Sequence, residues 1–369
     1  MSDDKPSRAE QHLINEARKH QARPSQPPGT VTVTRAGQFN GTLSSVHWRT
    51  QAWSPDGKQL AYGGADKHGH GVLHLWHPDS GHIESLTVRH LTHDLAGPVI
   101  SLAWAPDGKH LASVEQDQAS GQPVARIRSQ AAGPRPVQLP PGLPAQQVTW
   151  SPDGGTLAVS GPDCPGTVLI DAASGGQRRV LDHLSGPVAW QPGGRLIAGV
   201  FETSVLLCDP VTGGRVGRLA GQEHHATALA WDRRGTHLAV ADGERIIVWE
   251  AGAGTIRWRI PWATSEGYRG PDSTITSIQW LDGGGYLMEF RPRGGAWQDD
   301  WGTTVATATI WDIEDGQRVI CELLSHEHGY HEPPSGVAAG PDGRRLAAAV
   351  DFHPAIMWRI NGDLPHWVQ

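Results

Sequence analysis

Residues 53–61 read WSPDGKQLA, and residues 104–112 repeat this phrase as WAPDGKHLA. Both copies contain a tryptophan, a Pro-Asp-Gly turn and a short apolar run. Proline fixes the first turn position, aspartate takes the second, and glycine accepts positive φ, so the chain reverses direction. Apolar residues alternate before the tryptophan, as in VISLAW at 99–104. The pattern therefore predicts a β-hairpin in each copy.

The phrase recurs along most of the chain. Further copies begin at Trp150, Trp190, Trp231, Trp280 and Gly340, which gives seven in total. A second landmark follows most hairpins, as in HLWHPDSG at 74–81, VWEAGAG at 248–254 and IWDIEDG at 310–316. Another short strand comes next, for example TIRWRI at 255–260. Four strands in each of seven copies predict an all-β fold, a seven-bladed β-propeller of four-stranded antiparallel blades.

These motifs resemble those of the WD40-repeat β-propellers of bacterial type. The resemblance covers residues 30–368 and rests on the turn phrase and on LWHP, VWEA and IWDI at the family's Trp-Asp position. The Gly-His dipeptide that the family places before the first strand is largely missing, and LAGQ stands at 219–222. The resemblance implies an interaction platform, and bacterial members of the family often accompany signalling systems.

The repeats define the domain organisation. We expect a single propeller over residues 30–369 and a flexible or partly helical N-terminal tail over residues 1–29. The alternating TVTVTRAG at 30–37 is expected to close the ring as the outer strand of the last blade, whose other strands come from 336–360. The C-terminal LPHWVQ competes for this place, but its proline removes a backbone donor.

Composition and charge restrict the partners. A net charge of −7 without long blocks of one sign argues against nucleic acid. The chain has neither an apolar export segment nor a stretch long enough to span a bilayer, so we expect a cytoplasmic protein with no membrane partner. Cys164, Cys208 and Cys321 lack the spacing of a disulfide framework or zinc site and are expected to be free thiols.

The tryptophans divide into two groups. The chain has 16 Trp but only four Phe and four Tyr. Most of the tryptophans occupy repeat positions, either before the turn or in the third strand, and Trp48 and Trp258 also fall on strands. The repeat does not account for Trp262, Trp297, Trp301 and Trp367. The excess of tryptophan is therefore mostly architectural.

Segments that do not fit the repeat indicate a binding site. They cover residues 64–72, 261–273, 291–304 and 325–335, and the strand order places them on one face. Trp, Tyr and Arg contribute most to interface energies. The predicted partner-binding residues are Trp262, Tyr268, Arg269, Arg291, Arg293, Trp297, Trp301 and Tyr330. The alternative for Trp297 and Trp301 is a local lid over blade six.

Motifs of catalysis were sought. The chain contains no Gly-x-Ser-x-Gly elbow, phosphate loop or dinucleotide fingerprint, so no catalytic residue, enzyme activity or cofactor is expected. HEHGYHE offers weak metal candidates in His326, His328, His331 and Glu332. The preferred function is a scaffold, monomeric on its own, that binds a protein or peptide, as in a bacterial signalling or regulatory complex. The alternative is a metal-dependent lyase or hydrolase on the histidine-rich loop, with His68 and His70 nearby.

Overall fold

The computed structural model describes residues 32–38, 46–85, 97–129, 132–243, 245–260, 274–281, 285–292, 306–313, 318–324, 336–349 and 356–361. These segments form 28 strands in seven four-stranded sheets. Neighbouring strands within each sheet are antiparallel. The chain is a seven-bladed β-propeller, as the sequence predicts. No helix long and apolar enough to cross a membrane occurs in the described segments.

The first three blades follow one another along the chain. Blade 1 contains β2 (Val46–Trp53), β3 (Leu60–Asp66), β4 (Gly71–His77) and β5 (His82–Ser85). Blade 2 contains β6 (Val99–Trp104), β7 (His110–Gln116), β8 (Pro123–Ser129) and β9 (Ala132–Val137). Blade 3 contains β10 (Gln147–Trp150), β11 (Thr156–Ser160), β12 (Gly166–Asp171) and β13 (Gln177–Asp182).

The next three blades repeat this order. Blade 4 contains β14 (Ser185–Trp190), β15 (Ile197–Phe201), β16 (Ser204–Cys208) and β17 (Arg215–Leu219). Blade 5 contains β18 (Ala228–Trp231), β19 (His237–Ala241), β20 (Ile246–Glu250) and β21 (Thr255–Ile260). Blade 6 contains β22 (Ser277–Trp280), β23 (Tyr286–Pro292), β24 (Ala306–Asp312) and β25 (Arg318–Leu324).

Blade 7 joins the two ends of the chain. It contains β26 (Gly336–Ala339), β27 (Arg345–Ala349) and β28 (Ile356–Asn361), with β1 (Thr32–Gln38) as its outer strand. The register of β1 on β28 runs from Thr32 opposite Asn361 to Gln38 opposite Ile356. The prediction that the N-terminal strand closes the ring is thus confirmed. The predicted tail over residues 1–29 lies outside the described residues.

Apolar side chains pack between the blades. Seven clusters of buried residues are present, and each joins the facing sides of two adjacent blades. The innermost strands also contact one another in chain order, and β2 contacts β26. Because neighbouring sheets bury each other's faces all the way round, the hydrophobic core is a ring of seven interfaces.

The Pro-Asp-Gly phrases form the turns between the first and second strands. In the described turns, the glycine has positive φ at Gly57, Gly108, Gly154, Gly194, Gly235 and Gly343, between 62° and 72°. Residues with a side chain rarely adopt this backbone conformation. The aspartates accept backbone N–H groups within the turn, as Asp107 does from Lys109 at 2.8 Å. The conserved spacing of the phrase thus follows from the local geometry of one turn.

The tryptophan before each turn links two blades. Its indole Nε1 donates to a backbone carbonyl of the preceding blade, in the residue just before that blade's own turn position. The bonds are Trp53 to Ala338 (3.1 Å), Trp104 to Ala52 (3.0 Å), Trp150 to Ala103 (2.9 Å), Trp231 to Ala189 (3.1 Å) and Trp280 to Ala230 (2.9 Å). Five of the seven junctions, including that between the first and last blades, carry this bond.

Glutamine side chains bridge the other two junctions. Trp190 in blade 4 has a buried indole Nε1 with no hydrogen-bond partner, and Ala339 occupies the tryptophan position in blade 7. Between blades 3 and 4, Gln147 Oε1 accepts the N–H of Val188 at 2.9 Å. Between blades 6 and 7, Gln279 Oε1 accepts the N–H of Ala339 at 2.5 Å. The inner ring is therefore polar-bonded at both exceptions by a different side chain.

Deletion of residues 1–38 should severely destabilise the fold, because β28 then becomes an exposed edge and blade 7 loses a strand. Deletion of residues 1–31 is the matched control, since it retains β1. Thermal unfolding should show loss or collapse of the transition only in the larger deletion. Equal transitions for both truncated chains would show that β1 does not close the ring.

Replacing Trp150 with Phe should destabilise the protein by about 1 kcal/mol more than replacing Trp190 with Phe. Both changes remove the indole N–H and similar ring area, but only Trp150 donates to the adjacent blade. Denaturant unfolding of the two variants measures the difference. Equal losses would contradict an energetic role for the indole bond.

Candidate functional site

The antiparallel order separates the connections into two faces. Connections between the first and second strands, and between the third and fourth strands, leave from one face, here called the turn face. All other connections leave from the opposite face, here called the connection face. On the turn face, connections have between two and six residues, as in 130–131 and 54–59. On the connection face they reach 16 residues, at 261–276.

The longest connections surround blade 6. Connections 261–276, 293–305 and 325–335 enter, cross and leave this blade, with 16, 13 and 11 residues. A fourth long connection, 86–98, joins blades 1 and 2. Because the propeller core repeats without them, these segments add surface to one face only. The face predicted from the sequence is thus the one on which connection length varies.

One predicted irregular segment is mostly strand. Residues 64–72 were expected to form an insertion, but β3 and β4 take up all except the connection 67–70. The carboxylate of Asp66 accepts the N–H groups of His68 at 2.8 Å and His70 at 2.9 Å, which closes a tight turn. Connection 86–98 is the longer segment near blade 1, and its composition did not distinguish it from the repeat.

Of the predicted partner-binding residues, only Arg291 is described. It lies on β23, and its side chain is 9% exposed, in a bidentate contact with Glu289 at 3.2 and 3.3 Å. Leu287, two residues before Glu289, packs in the cluster between blades 5 and 6, and alternation places Glu289 and Arg291 on that side. The structure thus places Arg291 at the base of the long connection 293–305.

The other predicted site residues lie outside the described residues. They are Trp262, Tyr268, Arg269, Arg293, Trp297, Trp301 and Tyr330, together with the metal candidates His326, His328, His331 and Glu332. Within the described segments, no group of three or more His, Cys, Asp or Glu side chains is arranged to hold a metal ion. His68 and His70 have ring centroids 5.9 Å apart, and His70 Nδ1 lies 3.1 Å from the carboxylate of Asp66.

Charged groups on the turn face are held by the turns themselves. Arg345 Nε lies 2.6 Å from the carboxylate of Asp342, and its guanidinium covers the ring of Trp53 at 5.0 Å. The Ser54 hydroxyl and the N–H of Lys58 lower the pKa of Asp56. These local partners favour a solvated turn surface over a basic docking rim.

A buried polar cluster between blades 1 and 2 was not anticipated from the sequence. Glu115 is fully buried on β7 and pairs with Arg128, which also bonds Ser113. Arg126 Nε lies 3.2 Å from the second oxygen of Glu115, in ion-pair contact but without hydrogen-bond alignment. The sequence signal was present, because Ser113 and Glu115 interrupt an otherwise apolar strand, HLASVEQ.

The other buried titratable groups are held neutral. Burial lowers the pKa of His74 to about 4 and raises that of Tyr62, its neighbour across β3 and β4. Cys164 and Cys208 are free and buried, as expected, and burial raises the pKa of Cys164 to about 11. The side chain of Cys321 lies outside the description. A thiol with a raised pKa is a poor nucleophile, so neither cysteine suits covalent catalysis.

The chain was also compared with known proteins. Neither the scan against protein-family models nor the search of curated proteins found a match.

His74 should make stability depend on pH. Its folded pKa of about 4 lies below the ordinary histidine value of 6.5, so the unfolded chain binds more protons between these values. The stabilisation is present above pH 6.5 and is lost as pH falls towards 4, on the order of 3 kcal/mol. Replacing His74 with Phe should flatten this slope in denaturant unfolding. Replacing the exposed His68 with Gln should leave it unchanged, and equal slopes in all three proteins would refute the assignment.

Proposed function

We propose that this propeller is a scaffold that binds a protein or peptide partner on the connection face beside blade 6. The supporting observation is the asymmetry between the faces. Turn-face connections have at most six residues, whereas three connections around blade 6 have 11 to 16. A closed ring holds its strands fixed, so long connections on one face can vary in sequence without disturbing the core.

The composition of these connections supports recognition. They contain Trp262, Tyr268, Trp297, Trp301 and Tyr330, and the propeller repeat requires none of them. Aromatic side chains supply large contact area at low conformational cost and often act as anchors at interfaces. Arg269 and Arg293 lie in the same connections and provide charged contacts. The repeat's resemblance to WD40 propellers, which act mostly as interaction platforms, agrees with this proposal.

The buried Glu289–Arg291 pair supports the connection between β23 and β24. Glu289 is 3% exposed at the side chain, and each of its carboxylate oxygens faces the guanidinium of Arg291. A bidentate pair in a buried position fixes the end of the strand from which connection 293–305 leaves. Arg291 then positions the binding segment, and contact with the partner comes from residues beyond it. We propose this as the role of Arg291.

The experiment compares two variants of equal size. In the loop variant Trp262, Trp297 and Trp301 become Ala, and in the turn-face control Lys58, Lys109 and Arg195 become Ala. Tagged proteins are captured from the native host, and co-eluting proteins are identified and then titrated in purified form. The loop variant should lose about 2 kcal/mol or more of partner affinity, whereas the control should bind like the natural protein.

Stability measurements separate binding anchors from a lid. If Trp297 and Trp301 cover blade 6, their replacement should lower the unfolding free energy by roughly 3 kcal/mol or more. Unchanged stability with weakened capture supports the proposal. Capture that is lost only in the turn-face control would contradict it, as would a purified protein that binds no partner.

A further inference from the structure

The outer cleft between blades 3 and 4 carries three arginines. Arg179 on β13 lies opposite Leu169, which packs in the cluster between these blades, so Arg179 faces blade 4. Arg215 and Arg218 on β17 lie opposite Cys208 and Leu206, members of the same cluster, so both face blade 3. All three are exposed. Three cations thus line one cleft from its two sides.

Neutral groups hold these arginines in place. The guanidinium of Arg215 lies over the ring of Phe201 at 5.5 Å. Arg218 donates from Nε and Nη2 to the hydroxyl of Ser204, at 3.1 and 2.9 Å. Arg179 lies against the turn at Gly213, where an added Cβ would come within 3.1 Å of its Cδ and Nη1. The positions are therefore defined without neutralising the charge.

Carboxylates near the cleft do not pair with the arginines. Among the described residues, none of the three arginines forms an ion pair. Asp209 lies in the turn between β16 and β17, and its carboxylate accepts the N–H groups of Val211 at 2.7 Å and Thr212 at 3.2 Å. A cleft with three oriented, unpaired guanidinium groups is suited to binding carboxylates.

The surrounding charge increases the contrast. The outer strands β13, β17 and β21 together contain six arginines and one acidic residue, Asp182, a net charge of +5. The whole chain carries −7, so the rest of it carries −12. A long polyanion or an anionic membrane surface would meet this negative remainder, whereas a short acidic segment would contact only the cleft.

Apolar side chains accompany the arginines. In the described part of the chain, the exposed large hydrophobic residues are Val211 at 78% and Val216 at 61%. Val211 lies in the turn before β17, and Val216 stands between Arg215 and Arg218 on that strand. Exposed apolar groups next to cations fit a peptide with both apolar and acidic side chains.

Backbone strain marks the same junction. The two non-glycine residues with positive φ in the described segments are His183, at 70°, and Glu202, at 53°. His183 connects blades 3 and 4, and its ring meets Phe201 edge-on at 5.5 Å. Glu202 directly follows Phe201. Such strain persists where the surrounding structure enforces it and often accompanies binding sites.

We infer that this cleft binds an extended acidic segment of a protein partner, with carboxylate side chains on Arg179, Arg215 and Arg218 and apolar side chains on Val211 and Val216. β17 is an edge strand of its sheet, so its outer edge is available for pairing with a peptide strand. From Arg215 to Leu219 the strand covers about 13 Å, enough for about five peptide residues. This site is separate from the connection face beside blade 6.

The test uses a fluorescein-labelled peptide of about ten alternating Glu and Val residues at low ionic strength, where charge pairing is least screened. Decaglutamate and a single-stranded oligothymidylate of equal length serve as comparison probes. Replacing Arg215 and Arg218 with Gln should weaken peptide binding about tenfold or more. The matched control replaces Arg257 and Arg259 on β21 with Gln, and it should bind within about twofold of the natural protein.

Each outcome decides the proposal. Tightest binding of the alternating peptide, with loss only in the Arg215 and Arg218 variant and weakening after Val216→Ser, supports it. No binding to the natural protein, equal loss in both arginine variants, or tighter binding of the oligothymidylate would overturn it. The changed residues are exposed, so thermal unfolding should stay near that of the natural protein. These probes do not involve the tryptophan connections, so this result is independent of the proposed connection-face function.

Discussion

The structure depends on the junction between adjacent blades. At five of seven junctions an indole N–H donates to a backbone carbonyl of the preceding blade, and the apolar faces of both sheets meet around it. A four-stranded blade cannot bury both of its faces alone, so stability comes from the neighbours on either side. The bond from Trp53 to Ala338 and the pairing of β1 with β28 extend this arrangement across the chain ends. Closure therefore turns a linear repeat into a single cooperative body.

This constraint explains the distribution of sequence variation. The turn face carries the Pro-Asp-Gly phrase, in which the glycine conformation and the aspartate hydrogen bonds fix both length and residue type. Connections on the opposite face bear no such requirement and reach 16 residues. The arginine cleft uses a third location, the outer edge, where strands face solvent and charged side chains also discourage edge-to-edge aggregation. Recognition by this protein is thus proposed at positions that the ring does not need for folding.

The fold could be predicted from sequence because one local turn repeats seven times in register. The order of four strands, the role of the tryptophans and the closing strand all follow from that repeat. Pairwise chemistry across junctions could not be predicted in this way. Gln147 and Gln279 replace missing indole bonds, and nothing in their local sequence indicates the partner blade. The cleft of Arg179, Arg215 and Arg218 also depends on which way each outer strand faces, which small register shifts in β13 and β17 alter. Predicted binding residues such as Trp262 and Trp297 have no repeat to place them, so their roles stay predictions.

Native-state hydrogen exchange tests the central claim, that the two ends of the chain close one cooperative ring. The amides of residues 32–38 that pair with β28 should exchange with the same free energy of opening as those of the inner strands, because β1 opens only when the ring opens. Uniform protection of β1, β28 and the inner strands is the predicted result. Rapid exchange in β1 beside strong protection in the other blades would contradict it, since the ring would then persist without its closing strand.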